Sequence, residues 1–216
     1  MRADLGSAGE AGILMPSLPQ DLAARSQRQR ILGAMASSCA KKTFARTTIA
    51  DLVAEASISR ATFYKHFSNK EECFHSAAEE FVAELRGAAV EARGRADGSS
   101  RGAVRCVIAA VLEKLARKPD QAKLLLVEAP NVDAEIVRRY RALVLSALEA
   151  EMAGEPGDGQ ADPEIAFGRA KLLIAEYIAA GKTKSLPSLT PELVYVALLP
   201  HVGQRAALEQ AEVEDG

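Results

Sequence analysis

Residues 47–74 read TTIADLVAEASISRATFYKHFSNKEECF and set two short helical patterns a few residues apart. Ile49, Leu52, Val53 and Ala56 recur at helical spacing, and Thr48 with Asp51 approximates a capping box ahead of them. Ser57 and Ile58 interrupt that run after barely two turns. Ser59 offers a fresh N-cap, and a second run extends from Ala61 to Phe67. Ser68-Asn69-Lys70-Glu71 then repeats the S-x-x-E signature of a capped start. It opens a longer pattern, with Phe74, Ala77, Ala78, Phe81, Val82 and Leu85 on one face, that continues to about residue 92.

Two helices joined this tightly cross steeply, so the second projects from the surface, and the major groove of B-DNA admits one α-helix. On the segment SRATFYKHF, Ser59, Arg60, Thr62, Tyr64, Lys65 and His66 are polar or cationic, whereas Ala61 and the ring of Phe63 suit inward packing. The next helix turns a partly positive N-terminus outward and carries Lys70 on its first turn, an arrangement suited to a phosphate.

Ahead of this stretch, Ile31, Leu32, Met35 and Cys39 form the apolar stripe of a helix expected from Asp21 to Lys42. Residues 1–20, mixed in Gly, Pro and Ser without period, read as a flexible arm. Beyond it, the Gly- and Ser-rich RGRADGSSRG from Arg93 marks the break between the first four helices and the rest. Val104, Val107, Ile108, Val111, Leu112 and Leu115 make a wide stripe ending before Pro119; a helix is expected from Asp120 to about Ala129. Ile136, Tyr140, Leu143, Ala147 and Leu148 line another, which stops at AGEPGDGQADP. Asp162-Pro163-Glu164 and Thr190-Pro191-Glu192 each place a capping residue before a proline and open helices near 163–181 and 190–211. Pro200 deletes a hydrogen bond within the second and predicts a kink. With no strand pattern and no repeat, the fold class is all-α.

Charge is distributed unevenly. The net charge is only −2, but nine basic residues face two acidic ones between Arg25 and Lys70, so this head carries +7 and the chain beyond residue 70 carries −7. A polyanion is drawn to such a head through phosphate neutralisation and counterion release, and repelled by the body. At 216 residues, 48% apolar and a mean hydropathy of −0.03, the chain can bury a full core. Its apolar runs fall well short of the roughly 18 residues that a membrane-spanning helix needs, and no cleavable leader pattern is seen, so a cytoplasmic protein without a membrane partner is expected. Cys39, Cys73 and Cys106 form no C-x-x-C pair, and Cys73 with His75 points to different faces of a helix, so neither a disulfide framework nor a metal site is expected. There is no G-x-S-x-G, P-loop, G-x-G-x-x-G or H-E-x-x-H; no catalytic residue, no cofactor and no enzyme activity are expected.

From Arg46 to Phe74 the sequence resembles the DNA-binding region of the TetR family of bacterial transcriptional regulators, through Thr48-Ile49, Asp51-Leu52, Ala56, Ser59, Tyr64, Phe67 and Lys70-Glu71. It departs from that pattern at Ser57, where the family usually has Gly, and at Lys65-His66. The resemblance implies an N-terminal three-helix DNA-binding head with a helix-turn-helix, residues 21–68, joined to a larger helical ligand-binding and dimerisation body, residues 69–216. It implies that Arg46, Thr48, Ser59, Tyr64 and Lys70 hold phosphates while Arg60, Thr62, Lys65 and His66 lie nearer to base edges. The implied partners are double-stranded DNA bearing a palindromic operator, a small-molecule effector, and a second copy joined through the last two helices. The implied function is that of a sequence-specific DNA-binding transcriptional regulator, a homodimeric repressor released from its operator by the effector. The alternative is an all-α small-molecule-binding or interaction protein without specific DNA binding.

Overall fold

The stripe Ile31, Met35 and Cys39 becomes the buried face of the 25-residue helix α1 (Leu18–Lys42). This is seen in a computed structural model of the protein, which describes residues 18–96, 98–155 and 159–212. The helix begins at Leu18 rather than Asp21; apart from Leu18 to Gln20, the expected arm lies outside the described residues. Two seven-residue helices follow, α2 (Ile49–Glu55) and α3 (Arg60–His66), and then the long α4 (Lys70–Arg95). Phe44, in the turn after α1, meets Phe74 of α4 edge-on at 4.8 Å between ring centroids.

The body continues with α5 (Ser100–Arg117) and α6 (Pro119–Lys123), which runs through a π-helical turn, Leu124–Glu128, into α7 (Ala129–Val132). The single helix expected from Asp120 to Ala129 is therefore replaced by three wound segments. Period reading cannot separate π from α winding over five residues, and here Leu124, Leu125, Leu126 and Glu128 are all buried at once. After α8 (Ala134–Met152) and α9 (Pro163–Ala179), a 3₁₀ helix, Thr183–Leu189, leads straight into α10 (Thr190–Ala211). No strand occurs among the described residues.

One apolar core runs through head and body alike. It joins Ile31 of α1, Phe63 of α3 and Phe74 and Phe81 of α4 to Leu112 and Leu115 of α5 and on to Leu186 and Leu193. A second cluster, Val104, Met152, Val194, Leu198, Val202 and Ala207, fastens α10 to α5 and α8. Buried Arg105 donates to the carbonyls of Gln210 and Ala211 at the end of α10, where the helix dipole favours a cation.

Two helix starts differ from expectation. The cap of α4 is Asn69, whose Oδ1 accepts from the Glu72 amide at 2.7 Å, while the Glu72 carboxylate accepts from the Ser68 amide. Asn caps as well as Ser, and burying Phe67 and Cys73 fixes the register one residue later. Thr190 makes no side-chain cap for α10. Its hydroxyl donates back to the Pro187 carbonyl, because the 3₁₀ turn already occupies the residues before it. By contrast Asp162 caps α9 through the Glu164 amide. The chain kinks in α10 at Gly203 (φ 75°, ψ 173°), three residues after the Pro200 that predicted it. Gly159 rests so close to the Pro200 carbonyl that a Cβ would lie 2.1 Å from its oxygen.

Candidate nucleic-acid interface

The helix-turn-helix is built from its ends inward. Thr48 Oγ1 accepts from the Asp51 amide at 3.2 Å, and the Asp51 carboxylate accepts from the Thr48 amide at 2.9 Å and from its hydroxyl at 2.8 Å. Lys42 Nζ stands 2.5 Å from the same carboxylate; its hydrogen bond, with those from Thr48, lowers the Asp51 carboxyl to about 2. At the other end of α2, Ser57 takes φ 52°. Its amide donates to Ala54 and that of Ile58 to Val53, the two bonds of a Schellman motif. Ser57 thus adopts the left-handed conformation that the more usual Gly takes freely, at a cost of about 1 kcal/mol.

Ser59 opens α3, accepting from the Thr62 amide at 3.0 Å and sharing a 2.9 Å hydrogen bond with the Thr62 hydroxyl. Phe63 is fully buried and Phe67 nearly so, their centroids 5.8 Å apart. The Arg28 guanidinium lies 5.4 Å from the centroid of Phe67. Anchored from behind in this way, α3 leaves Arg60, Ala61, Tyr64 and Lys65 exposed, with Thr62 and His66 half-buried. Ala61 does not pack inward as expected: it lies four residues before Lys65 and shares its outer face. Tyr64 is 54% exposed, its ring edge-on to Phe63 at 5.5 Å.

Of the expected contact residues, Arg46, Thr48, Ser59, Arg60, Tyr64 and Lys65 are exposed and Thr62, His66 and Lys70 half-buried, and their donors are not equally available. Arg46, Arg60 and Lys65 are exposed and enter none of the ion pairs among the described residues, whereas Arg28, Lys41 and Lys42 on α1 are paired with Glu80, Glu55 and Asp51. The hydroxyls of Thr48 and Ser59 are engaged in capping. Lys70, expected at a phosphate, turns its amine to the carbonyls of Phe44 (3.2 Å) and Thr47 (3.1 Å) and sits 4.3 Å over the Phe44 ring. Two residues outside the expected set also reach the head: Glu128 accepts from the Phe44 amide, and Lys123 donates to the Ala40 carbonyl. Lying more than 80 residues away in sequence, they carry no local signal of that contact.

Elsewhere, the cations of the RRYR segment at 138–141 are neutralised: Arg138 pairs with Glu135, Arg139 with Glu79 and Arg141 with Glu164. His75 Nδ1 is 2.6 Å from Asp133 and Nε2 3.3 Å from Glu79, facing away from the buried Cys73 thiol. Two surface pockets, of about 300 Å³ and 90 Å³, lie between α1 and the end of α2 and where α1, α4 and α6 meet. Cys106 is exposed on α5.

Residues 31–77 match the family model of the bacterial regulatory proteins, tetR family. No curated protein matches the chain in sequence. Among solved structures, the fatty acid degradation regulator FadR from Bacillus halodurans superposes with a TM-score of 0.69 at 17% identity, over 83% of this chain and 96% of that one. A TetR-family transcriptional regulator from Streptomyces coelicolor gives 0.59 at 22%, over 88% and 97%. A TetR-family transcription regulator from Marinobacter aquaeolei gives 0.58 at 16%, over 79% and 96%. At such identities these likenesses concern the fold alone, over about four-fifths or more of this chain. Residues 31–77 thus match the DNA-binding region of the bacterial regulatory proteins of the tetR family, and the helical architecture around them is similar to that of solved TetR-family regulators.

Proposed function

We propose that the protein is a homodimeric, sequence-specific DNA-binding repressor, released from a palindromic operator when a small-molecule effector occupies its body. The observation that carries this reading is the outer face of α3, where Arg60, Tyr64 and Lys65 stand exposed on a helix fixed by Phe63 and Phe67. In this reading residues 21–68 are the DNA-binding domain and residues 69–216 the ligand-binding and dimerisation domain, and the protein works in the cytoplasm; no described helix is long and apolar enough to cross a membrane.

Arg46 and Tyr64 hold phosphates and fix register, while Arg60, Thr62, Lys65 and His66 read base edges. Thr48 and Ser59 bring helix N-termini to the backbone through their caps, and Lys70 serves both as a charge and as a strut for the turn above it. Tyr64→Ala is expected to weaken binding to all sequences. Changing Lys65 shifts sequence preference, by roughly 1–3 kcal/mol at one base pair. Lys70→Ala lowers the salt slope by about 1 if its charge meets a phosphate, and lowers affinity alone if its role is the strut.

The dimer is supported by α9, where Ile165 and Leu172 are 64% and 61% exposed, seven residues apart, with exposed Gly168 between them. That spacing puts all three on one face, and the missing side chain of Gly168 lets another helix approach closely. Leu208 of α10 is also exposed. Two heads about 34 Å apart then meet successive major grooves. An effector bound more tightly by a body whose heads are wrongly spaced shifts the population away from DNA, with α4, shared by head and body, as the lever.

Selection of genomic fragments by the purified protein, repeated across salt concentrations, tests the reading. A palindromic site bound in roughly the nanomolar range, with repression of a reporter placed behind it, is the expected result. Weak, sequence-blind binding that vanishes in moderate salt would leave a small-molecule-binding protein without a specific DNA target. Ile165→Glu with Leu172→Glu should give a folded monomer by sedimentation; a dimer that survives both changes would move the interface off α9.

A further inference from the structure

The turn that leads from α1 into the helix-turn-helix is strained. Thr43 has φ 75°, a left-handed backbone that a β-branched residue rarely adopts, and such a conformation persists only where its surroundings over-determine it. Within the turn, the Thr43 amide donates to Cys39 and the Thr47 hydroxyl to the Thr43 carbonyl. The Thr47 amide also donates to the Phe44 carbonyl at 3.0 Å, and further hydrogen bonds come from elsewhere. Glu128, 9% exposed, accepts from the Phe44 amide at 2.9 Å; Lys123 Nζ donates to Ala40 at 2.7 Å; Lys70 donates to Phe44 and Thr47 from below. These groups crowd around Cys39, whose thiol is pushed up to about 12, first by burial and second by the charge of Glu128.

Two of these partners, Lys123 and Glu128, flank a rare winding. Lys123 ends α6 and Glu128 ends the π turn, whose Leu124, Leu125 and Leu126 are buried in the core that continues through α9. Thr48, immediately after the strained turn, caps α2, and α2 leads through the Schellman turn at Ser57 to α3. The turn ahead of the recognition surface is thus tied to Lys123 and Glu128, far along the chain, as well as to Lys70.

We propose that Glu128 and Lys123 are positioning residues for DNA binding, holding the α1–α2 turn in the conformation that presents α2 and α3 to the groove. This rests on the DNA-binding reading above. Neither residue belongs to the contact surface, so each acts through Phe44 or Ala40.

The test uses the full-length protein with Glu128→Ala, Glu128→Gln and Lys123→Met, and two readouts: hydrogen exchange at the Phe44 amide, and affinity for the selected operator across salt concentrations. Glu128→Ala should speed Phe44 exchange and lower operator affinity about tenfold or more, the size expected for a buried hydrogen bond to a charged group. The salt slope should stay unchanged, because no phosphate contact is lost. Glu128→Gln, whose amide oxygen still accepts, should fall between Glu128→Ala and the unaltered protein. A residue that only stabilises the fold would lower the thermal midpoint and leave affinity per folded dimer intact; that result overturns the proposal. So does slow Phe44 exchange with unaltered affinity in both Glu128→Gln and Lys123→Met, the variants that carry the test if Glu128→Ala does not fold. If the unaltered protein selects no specific site, the DNA-binding reading itself fails and the positioning role goes with it.

Discussion

Helices α2 and α3 in the head are seven residues long, whereas α8 and α10 in the body run to 19 and 22. Seven residues cannot sustain a helix by propensity, because nucleation is unfavourable and too few hydrogen bonds follow it. The head compensates at the ends: a reciprocal Thr48–Asp51 cap, a Schellman closure at Ser57, a Ser59 cap and the buried rings of Phe63 and Phe67. The body holds a contrasting case. Its α10 has no side-chain cap, passes through a kink at Gly203 and is held by buried Val194, Leu198 and Val202. Helices α2 and α3 are specified by chemistry at their termini, α10 by what covers it.

The largest effect that could break this comparison is Phe63→Ala. Truncating a fully buried ring in the head should cost about 3–5 kcal/mol, a large share of a typical domain's stability. Because the core continues from Phe63 into the body, urea unfolding should remain one transition at a lower midpoint. Two separate transitions would show the head to be its own cooperative unit.

Tyr140 probes the opposite case, a body residue with a polar atom that packing has not served. Its ring lies 6.0 Å from Phe167 and the residue is 9% exposed; its hydroxyl has no hydrogen-bond partner among the described residues, and burial pushes its pKa up to about 12. Tyr140→Phe should therefore raise stability by about 1 kcal/mol, read as a higher thermal midpoint. An unchanged or lower midpoint would mean that the hydroxyl finds a partner in solution.

Ser57→Gly sharpens the account of the head. Relief of the left-handed strain, less the extra freedom of Gly in the unfolded chain, should leave a gain of roughly 0.5 kcal/mol. A loss in chemical denaturation would mean that Ser57 contributes something beyond its backbone.

The smallest expected effect lies where α4 meets α8. The hydrogen bond to Asp133 raises the pKa of His75 above 6.5, against the lowering that burial alone would give. A raised folded-state pKa makes the contribution complete below pH 6.5 and removes it as pH rises through the raised value. Asp133 works in the other direction: burial would raise it, but the bonds from His75 and the α8 amides hold it below 3.8, so its share is lost only in acid. Since the His75 side chain is 37% exposed, solvent screening limits the effect to a few tenths of a kcal/mol. Thermal midpoints measured from about pH 6 to 8.5 should converge between the unaltered protein and His75→Gln at the alkaline end. A constant gap would remove His75 as the titrating group.

The same contrast decides how far the chain could be read before its structure was known. Thr48 with Asp51, Ser59 and Asp162 are caps that act within three residues, so the sequence shows them directly. Asn69 in place of Ser68, and Leu18 in place of Asp21, are slips of register or boundary where adjacent residues serve nearly as well. The face of α3 was legible because its polar residues and the anchoring Phe63 alternate at helical spacing, although Ala61 lies outside rather than in. That the amine of Lys70 is already engaged was not legible. Lys70 meets its partners across more than 20 residues of sequence.

What the sequence determined by itself is the set of short-range facts: an all-α chain, a basic head on an acidic body, and two capped helices around a tight turn. These follow from spacing and from side chains bonding to neighbouring backbone. Only the tertiary structure decided that the core passes unbroken from head to body, that five residues wind as a π turn, and that Glu128 and Lys123 hold the turn at Phe44. Those features depend on which distant surfaces meet, and a buried carboxylate finds a backbone amide 84 residues away only once packing has brought them together.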